Sequence, residues 1–243
     1  MEIISVDVTD STNSLVKELA KRGSGECLVY AIEQTAGRGQ RGNKWESEPG
    51  KNLTASMLLF PKDILPSEQF VISEAVALGV VDILGEMGID ARVKWPNDIY
   101  VGDRKISGIL IEHSVMGRSI MHTVAGVGLN LNQSKFISDA PNPVSVVQLN
   151  GKECDVSKAA VSLAEAVKRR IPLDKMEMRL LHEEFLSKLW RGDGNLHPFL
   201  DKNSGKRFRG KIMDVGLDGL LRVMDDEDML HDYAFKEVEF LLD

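Results

Sequence analysis

The chain is poor in the residues that staple a small protein or hold a metal. It has two cysteines in 243 residues, Cys27 and Cys154, far apart and in no CxxC pair, and its five histidines are scattered. Neither a disulfide framework nor a zinc site is expected, and reduced thiols fit a cytoplasmic protein. Long apolar runs are also missing. Nothing approaches the roughly 20 residues that cross a bilayer, and the first apolar run (Ile3, Ile4, Val6, Val8) reads as a strand rather than a leader. No membrane partner is expected. Positive charge is in deficit: 30 basic residues against 37 acidic give a formal net charge of −7. A dedicated nucleic-acid binder shows a basic balance or a basic stripe, so nucleic acid is not an expected partner either.

What is present is ordinary for a globular protein, with 43% hydrophobic and 28% charged residues. The length suits one large domain, or one domain with a small appendage. "EIISVDV" reads as a strand. "DSTNSLVKELAKRG" reads as a helix, with Asp10, Ser11 and Thr12 as cap candidates, Leu15 and Leu19 four apart, and Gly23 as its stop. "ECLVYAIEQT" and "NLTASMLLF" are strands. Ser67 is expected to cap a long helix that Gly88 closes. "ARVKW", "DIYV" and "KISGILIE" are short strands, with "VGDR" as a tight hairpin turn, and "HTVAGVGLNLN" is a further strand. Residues 157–171 have helical spacing up to Pro172, and Asp174 can cap a second helix reaching residue 190. Near Gly192 the chain becomes polar and turn-rich, and short strand-like runs follow. The expectation is an α+β fold: a mixed sheet flanked by helices over residues 1–191, then a small all-β unit over 192–243.

Inside this acidic chain, "TAGRGQRGNKW" packs three glycines, two arginines and a lysine into eleven residues. Glycine lets backbone N–H groups approach an anion, and arginine adds forked, permanently charged donors. Such a loop suits a phosphate or a carboxylate, although taken alone it is equally a solvated surface loop. "KWPND" ends on an amide and a carboxylate, Asn97 and Asp98, where the chain leaves a strand; taken alone it is a turn with an asparagine cap. In "DRKISGILIE", Lys105 follows the hairpin turn, on the strand face it would share with Ser107, Ile109 and Ile111. The plain alternative is a lysine snorkelling to solvent. Gly108 removes bulk where a ligand could lie.

Taken in order, "DSTN", "EQTAGRGQRGNKW", "KWPND", "KISGIL" and "GVGLNLN" resemble the biotin–protein ligases, also called biotin–[acetyl-CoA-carboxylase] ligases. The resemblance covers roughly residues 8–132, and the C-terminal unit fits the small SH3-like barrel of that family. It implies a catalytic domain related to lipoate ligases and class II synthetases, and two reactions. Biotin's carboxylate attacks the α-phosphate of MgATP to give biotinyl-5′-AMP. A lysine of a biotin carboxyl carrier protein then takes the biotinyl group and releases AMP.

Both nucleophiles come from the substrates, which fits a chain with no evident nucleophile–base pair. By resemblance, Lys105 and Arg38 would be the catalytic cations, contacting the biotin carboxylate and the α-phosphate. Ser11, Thr12, Asn13 and Gln34 would line the biotin pocket, and Gly37, Gly39, Gly108, Gly126 and Gly128 would let the backbone approach the ligand. Gln40, Trp45, Asn97, Asp98 and Asn130 would serve the nucleotide, Trp45 by lying near adenine and Asp98 through Mg²⁺ or by orienting its neighbours. No protein-held metal is implied, and the resemblance allows a monomer or a homodimer.

The chain departs from the family in two places. The commonest loop reads GRGRRGR, whereas here Gln40 and Asn43 stand at two of those arginine positions. Weaker retention of the adenylate is expected. "DSTN" also begins at residue 10, which leaves no room for the helix-turn-helix domain of bifunctional members, so a ligase without repressor activity is expected. The rival readings are a lipoate or octanoate ligase of the same fold, an RNA-binding module using Arg38 and Arg41, and a structural scaffold. Single-strand binders stack bases on several aromatics, and this loop has only Trp45.

Overall fold

The structure is a computed structural model that describes residues 1–137 and 142–242, without the side chain of Arg41. That side chain, named in the RNA-binding alternative, therefore lies outside the described residues. The sheet begins with β1 (Glu2–Thr9) and β2 (Cys27–Gln34), a parallel pair joined by α1 (Thr12–Lys21). β3 (Leu53–Leu59) pairs antiparallel with β2. After α2 (Phe70–Glu86) come β4 (Arg92–Lys94), β5 (Asp98–Val101), β6 (Arg104–Met116) and β7 (Ser119–Leu129). These strands form one seven-stranded sheet in the order β1-β2-β3-β7-β6-β5-β4. Gly102 takes a φ of 57° in the two-residue turn between β5 and β6, as the "VGDR" reading expects.

Strand alternation sorts the two faces. Cys27, Val29, Leu58 and Val124 point to one side and form a small core with Val16 of α1. Leu28, Ala55, Met57, Leu59, Ala125 and Val127 point to the other, into the main core. That core is completed by α2, by α4 (Val156–Arg170) and by α5 (Lys175–Ser187), which packs on α2. Helix α2 is apolar nearly all round, as a helix buried between layers must be.

Several local expectations shift. Ser67 lies inside a 3₁₀ turn (Pro66–Glu68), and α2 starts after Gln69. Asp174 does cap α5, accepting from the backbone N–H of Met176 and Glu177, but the helix stops at Ser187 rather than near residue 190. A short helix α3 (Val146–Asn150), capped by Ser145, has no counterpart in the sequence reading. The turn-rich stretch after Gly192 holds a strand, β8 (His197–Asp201). It joins β9 (Arg207–Val215), β10 (Leu221–Asp225), β11 (Leu230–Tyr233) and β12 (Val238–Phe240) in an antiparallel sheet of order β11-β10-β9-β8-β12. The single run "HDYAFKEVEFL" is thus two strands.

Polar side chains tie the second sheet to the first layer. The Trp95 indole N–H donates to the Gly219 carbonyl at 3.0 Å and the Arg191 guanidinium to the Leu241 carbonyl at 2.7 Å, while within the first layer the Trp190 indole donates to the Gly102 carbonyl at 2.9 Å. Glu74, fully buried on α2, meets His182 Nδ1 of α5 at 2.7 Å, and His182 Nε2 lies 3.6 Å from Asp214 of β9. Its hydrogen bond to Glu74 raises the His182 pKa above 6.5, and burial raises that of Glu74. Both shifts make the folded protein hold protons more tightly than the unfolded chain does. The His182 contribution is full below pH 6.5 and is lost as pH rises through its raised value; that of Glu74 is full only below pH 4.5 and is lost through its own raised value. We therefore expect thermal stability to fall as pH rises above 6.5, on the order of 3 °C in melting temperature per kcal/mol lost. His182→Gln should flatten that dependence. A wild-type melting curve indifferent to pH in this window would refute the assignment.

Candidate active site

The α1 face of the sheet has almost no side chains beyond the small core. Along β7 the positions after Val124 on this face are Gly126 and Gly128, and across from Gly128 on β6 stands Gly108. Along β3 the same face carries Ser56 and Thr54. The result is a cavity of about 960 Å³ over the sheet, roofed by the glycine-rich loop. Every residue nominated from the sequence lines it except Gly37, which packs against the Trp45 carbonyl at the loop's base.

The loop is a small hairpin. Gly39 N–H donates to the Asn43 carbonyl at 2.7 Å and Trp45 N–H to the Gly37 carbonyl at 3.0 Å, around a 3₁₀ turn at Gln40–Gly42. This folds the Trp45 indole down onto the bare strands. A Cβ on Gly128 would stand 2.2 Å from Trp45 Cε2, and one on Gly108 would stand 3.0 Å from its Cζ3. A Cβ on Gly126 would meet Asn13 Oδ1 at 2.1 Å. These glycines therefore make room for the protein's own side chains as well as for any ligand. The Trp45 Nε1–H is buried and has no hydrogen-bond partner among the described residues.

Lys105 reaches the cavity through an irregularity in β6. Opposite Tyr100 the register shifts, so Lys105 faces Tyr100 while Ser107 faces Ile99. Ile106 and Ile109, three apart, both lie in the main core, which strict alternation forbids. Lys105 therefore does not share a face with Ser107, Ile109 and Ile111, as regular alternation led us to expect. Its Nζ lies beside Gly108, 2.7 Å from Asp98 Oδ1 and 5.8 Å from the Trp45 ring centroid. Both members of the Lys105–Asp98 pair keep only 21% side-chain exposure. Asp98 follows a cis Trp95–Pro96 peptide and Asn97, whose amide donates to the Ile109 carbonyl at 2.7 Å. The Asn130 amide donates to the Val144 carbonyl, while its Oδ1 is buried without a partner among the described residues.

Arg38 is elsewhere. Its guanidinium pairs with Glu112 Oε2 at 3.3 Å, at the α1 end of the cavity, and Lys17 pairs with Glu112 Oε1 at 2.5 Å. The other polar residues form a set in which the Ser56 hydroxyl joins Thr12 and Asn13, and Thr12 joins the half-buried Gln34, with Ser11 at the start of α1.

Three features escaped the sequence reading. Ser56 could have been found, as a polar residue in an otherwise apolar strand. Lys94 is caged by Tyr100, Trp190 and Phe240, with Nζ 3.0 Å from the Tyr100 hydroxyl. Burial lowers its pKa, against the pull of Asp98. Finally, Lys202, Phe235, Lys236 and Phe240 bring the second sheet to the rim, and nothing in their sequence announces it. No cluster of His, Cys, Asp and Glu suited to hold a metal occurs among the described residues.

Residues 5–130 match the model of the Biotin/lipoate A/B protein ligase family. A biotin–[acetyl-CoA-carboxylase] ligase of Paracoccus denitrificans is 37% identical over 66% of this chain and 69% of its own length. The bifunctional ligase/repressor BirA of Bacillus spizizenii is 34% identical over 63% of this chain and 48% of its own length. The chain spans about half the length of most of the first curated relatives it matches. Among solved structures, the unliganded biotin protein ligase of Aquifex aeolicus superposes with a TM-score of 0.76 at 20% identity over 99% of both chains. The same enzyme in complex with biotin and ATP gives 0.71 at 23% identity, over 98% of this chain and 97% of that one.

The packing of Trp45 on bare backbone can be tested without any ligand. Gly128→Ala puts a methyl group where the indole lies, so the ring must leave. We expect red-shifted Trp45 emission and roughly doubled acrylamide quenching, with unchanged far-ultraviolet circular dichroism. Emission identical to wild type would show that the ring does not rest there.

Proposed function

The chain belongs to the Biotin/lipoate A/B protein ligase family, and on that premise we propose that it is an ATP-dependent biotin–protein ligase. It activates biotin as biotinyl-5′-AMP and transfers it to a lysine of a biotin carboxyl carrier protein. The carrying observation is one cavity that joins a buried polar pocket, a shielded lysine and a glycine-rich loop. That is what the chemistry asks for: donors and acceptors for a ureido ring at one end, and positive charge at the other where two anions must meet.

In the first reaction a biotin carboxylate oxygen attacks the α-phosphorus, and the bond to pyrophosphate breaks. The protein supplies no nucleophile. It holds the reactants together and offsets their repulsion. One ammonium about 4 Å from a phosphate oxygen contributes roughly 4 kcal/mol at a surface-like dielectric. Lys105 is that ammonium in this proposal. Asp98, 2.7 Å away, orients it; Mg²⁺ enters with ATP as part of the substrate. In the second reaction the acceptor lysine amine attacks the acyl carbonyl and AMP leaves. The folded loop, with Trp45 over the strands, excludes water from an anhydride that would otherwise hydrolyse. Residues 1–191 form the catalytic unit in this reading, and residues 192–243 close one rim.

Biotin-dependent exchange of pyrophosphate into ATP tests the first reaction. Exchange with biotin is expected, and Lys105→Ala should lower it at least 100-fold, as loss of a transition-state donor does. Exchange with lipoate or octanoate instead would keep the fold and change the substrate. Exchange with no acid would end the ligase reading.

The loop yields a second expectation. Gln40 lines the cavity where an arginine would add a charge. Gln40→Arg should slow release of biotinyl-5′-AMP several-fold, most clearly at low salt. Equal release rates would mean that position 40 does not hold the intermediate.

A further inference from the structure

Glu112 does not line the cavity, yet two side chains that do, Asn13 and Arg38, end on it, together with Lys17 of α1. Its carboxylate accepts from Asn13 Nδ2 at 2.9 Å, from Lys17 Nζ at 2.5 Å and from Arg38 Nη2 at 3.3 Å. Behind Asn13 runs a buried chain of short contacts. Asn13 Oδ1 lies 2.5 Å from the Ser56 hydroxyl, which lies 2.7 Å from the Thr12 hydroxyl, which lies 3.1 Å from Gln34 Oε1. Asn13, Thr12 and Ser56 are each at most 4% exposed, so an amide turned the wrong way would leave buried groups unpaired.

Each end of this chain is held by a group that works in one direction only. A carboxylate accepts, and the Leu110 carbonyl at 3.4 Å from Asn13 Nδ2 also only accepts. The Asn13 NH₂ must therefore face β6, and its oxygen must face Ser56. That oxygen takes the one Ser56 proton, so the Thr12 hydroxyl gives its own proton to Ser56, and Gln34 Oε1 is held by the Thr12 backbone N–H rather than by the hydroxyl. At the far end the Thr12 backbone N–H, which only donates, lies 2.7 Å from Gln34 Oε1. The Gln34 amide nitrogen is thereby turned away, towards Gly37 at the base of the loop. Of this network the cavity wall carries the Thr12 hydroxyl oxygen, able to accept, and the Gln34 side chain, whose amide nitrogen is able to donate. A cyclic urea has the complementary set: two N–H donors and a carbonyl acceptor.

We propose that Glu112 is a positioning residue that fixes the Asn13 amide and, through Ser56 and Thr12, the donor–acceptor polarity with which the cavity meets a ureido ring. The proposal rests on the biotin reading for its ligand and on geometry alone for the network. Lys17 and Arg38 keep the carboxylate ionised. Burial by itself would raise its pKa, but the Lys17 and Asn13 hydrogen bonds prevail and lower it. Glu112 thereby links the cationic loop to the polar pocket.

Two readouts separate this role from a merely structural ion pair. The first is the Asn13 side-chain amide in ¹⁵N-labelled, ligand-free protein. Its protons should be downfield and slow to exchange in wild type, and should lose both properties in Glu112→Ala. The second is biotin affinity, which should fall about tenfold in Glu112→Ala. Glu112→Gln should restore most of the affinity, because its carbonyl still accepts from Asn13 although the charge is gone. Unchanged amide signals in Glu112→Ala would overturn the proposal, as would Glu112→Gln binding as weakly as Glu112→Ala.

Should Glu112→Ala not fold, the swapped pair decides. Asn13→Asp should abolish tight binding by facing two carboxylates, and Asn13→Asp with Glu112→Gln should recover it; no recovery refutes the polarity argument. If wild type binds no biotin, the ligand reading fails, and the amide signals alone decide the positioning role.

Discussion

Opposite Tyr100, β6 places two residues where a regular ladder has one, and Lys105 enters the cavity because of it. A strand that kept strict alternation from Gly108 backwards would turn Ile106 towards the ligand side and Lys105 into the core. The bulge exchanges them: Ile106 is fully buried among apolar side chains and the lysine faces Asp98. It stands next to the turn at Gly102 and close to Trp190, whose indole caps the Gly102 carbonyl. The position of Lys105 is thus secured by backbone register and by an aromatic side chain from beyond α5.

The same face owes its shape to side chains that are missing. Gly108, Gly126 and Gly128 leave a trough that only their bare backbone can provide, and Trp45 and Asn13 fill part of it. Each glycine weakens the strand it sits in, and the surrounding core compensates. On the opposite face of β7, Ala125, Val127 and Leu129 lie in the main core, with Thr123 buried beside them. A sheet with one densely packed face can leave the other open for binding.

Charge around the trough is arranged in pairs rather than left free. Lys105 is held by Asp98, and Arg38 and Lys17 by Glu112. Lys94 is held by aromatic faces and a tyrosine hydroxyl. Pairing keeps cations at the site in an acidic protein without the cost of an isolated buried charge. It also gives each cation a defined direction before any anion arrives. The second sheet completes the enclosure, tied down by Trp95 and by the Glu74–His182–Asp214 contacts.

The sequence by itself determined most of the local elements and named many of the residues that line the cavity. Period-two apolar runs marked most of the strands, Asp174 marked a helix start, and glycines and "KWPND" marked where the chain turns. Those signals depend on a few neighbouring residues, so they survive in one dimension. Alternation is also local, and for that reason it misled at Lys105: the bulge is set by pairing with β5, which the sequence of β6 does not contain. Glu112 read as the end of a strand until α1 and the loop were brought to it from 95 and 74 residues away. The aromatic cage of Lys94 and the rim residues of the second sheet are likewise products of long-range packing. Such contacts link positions whose spacing along the chain is arbitrary, so only the tertiary structure could decide them.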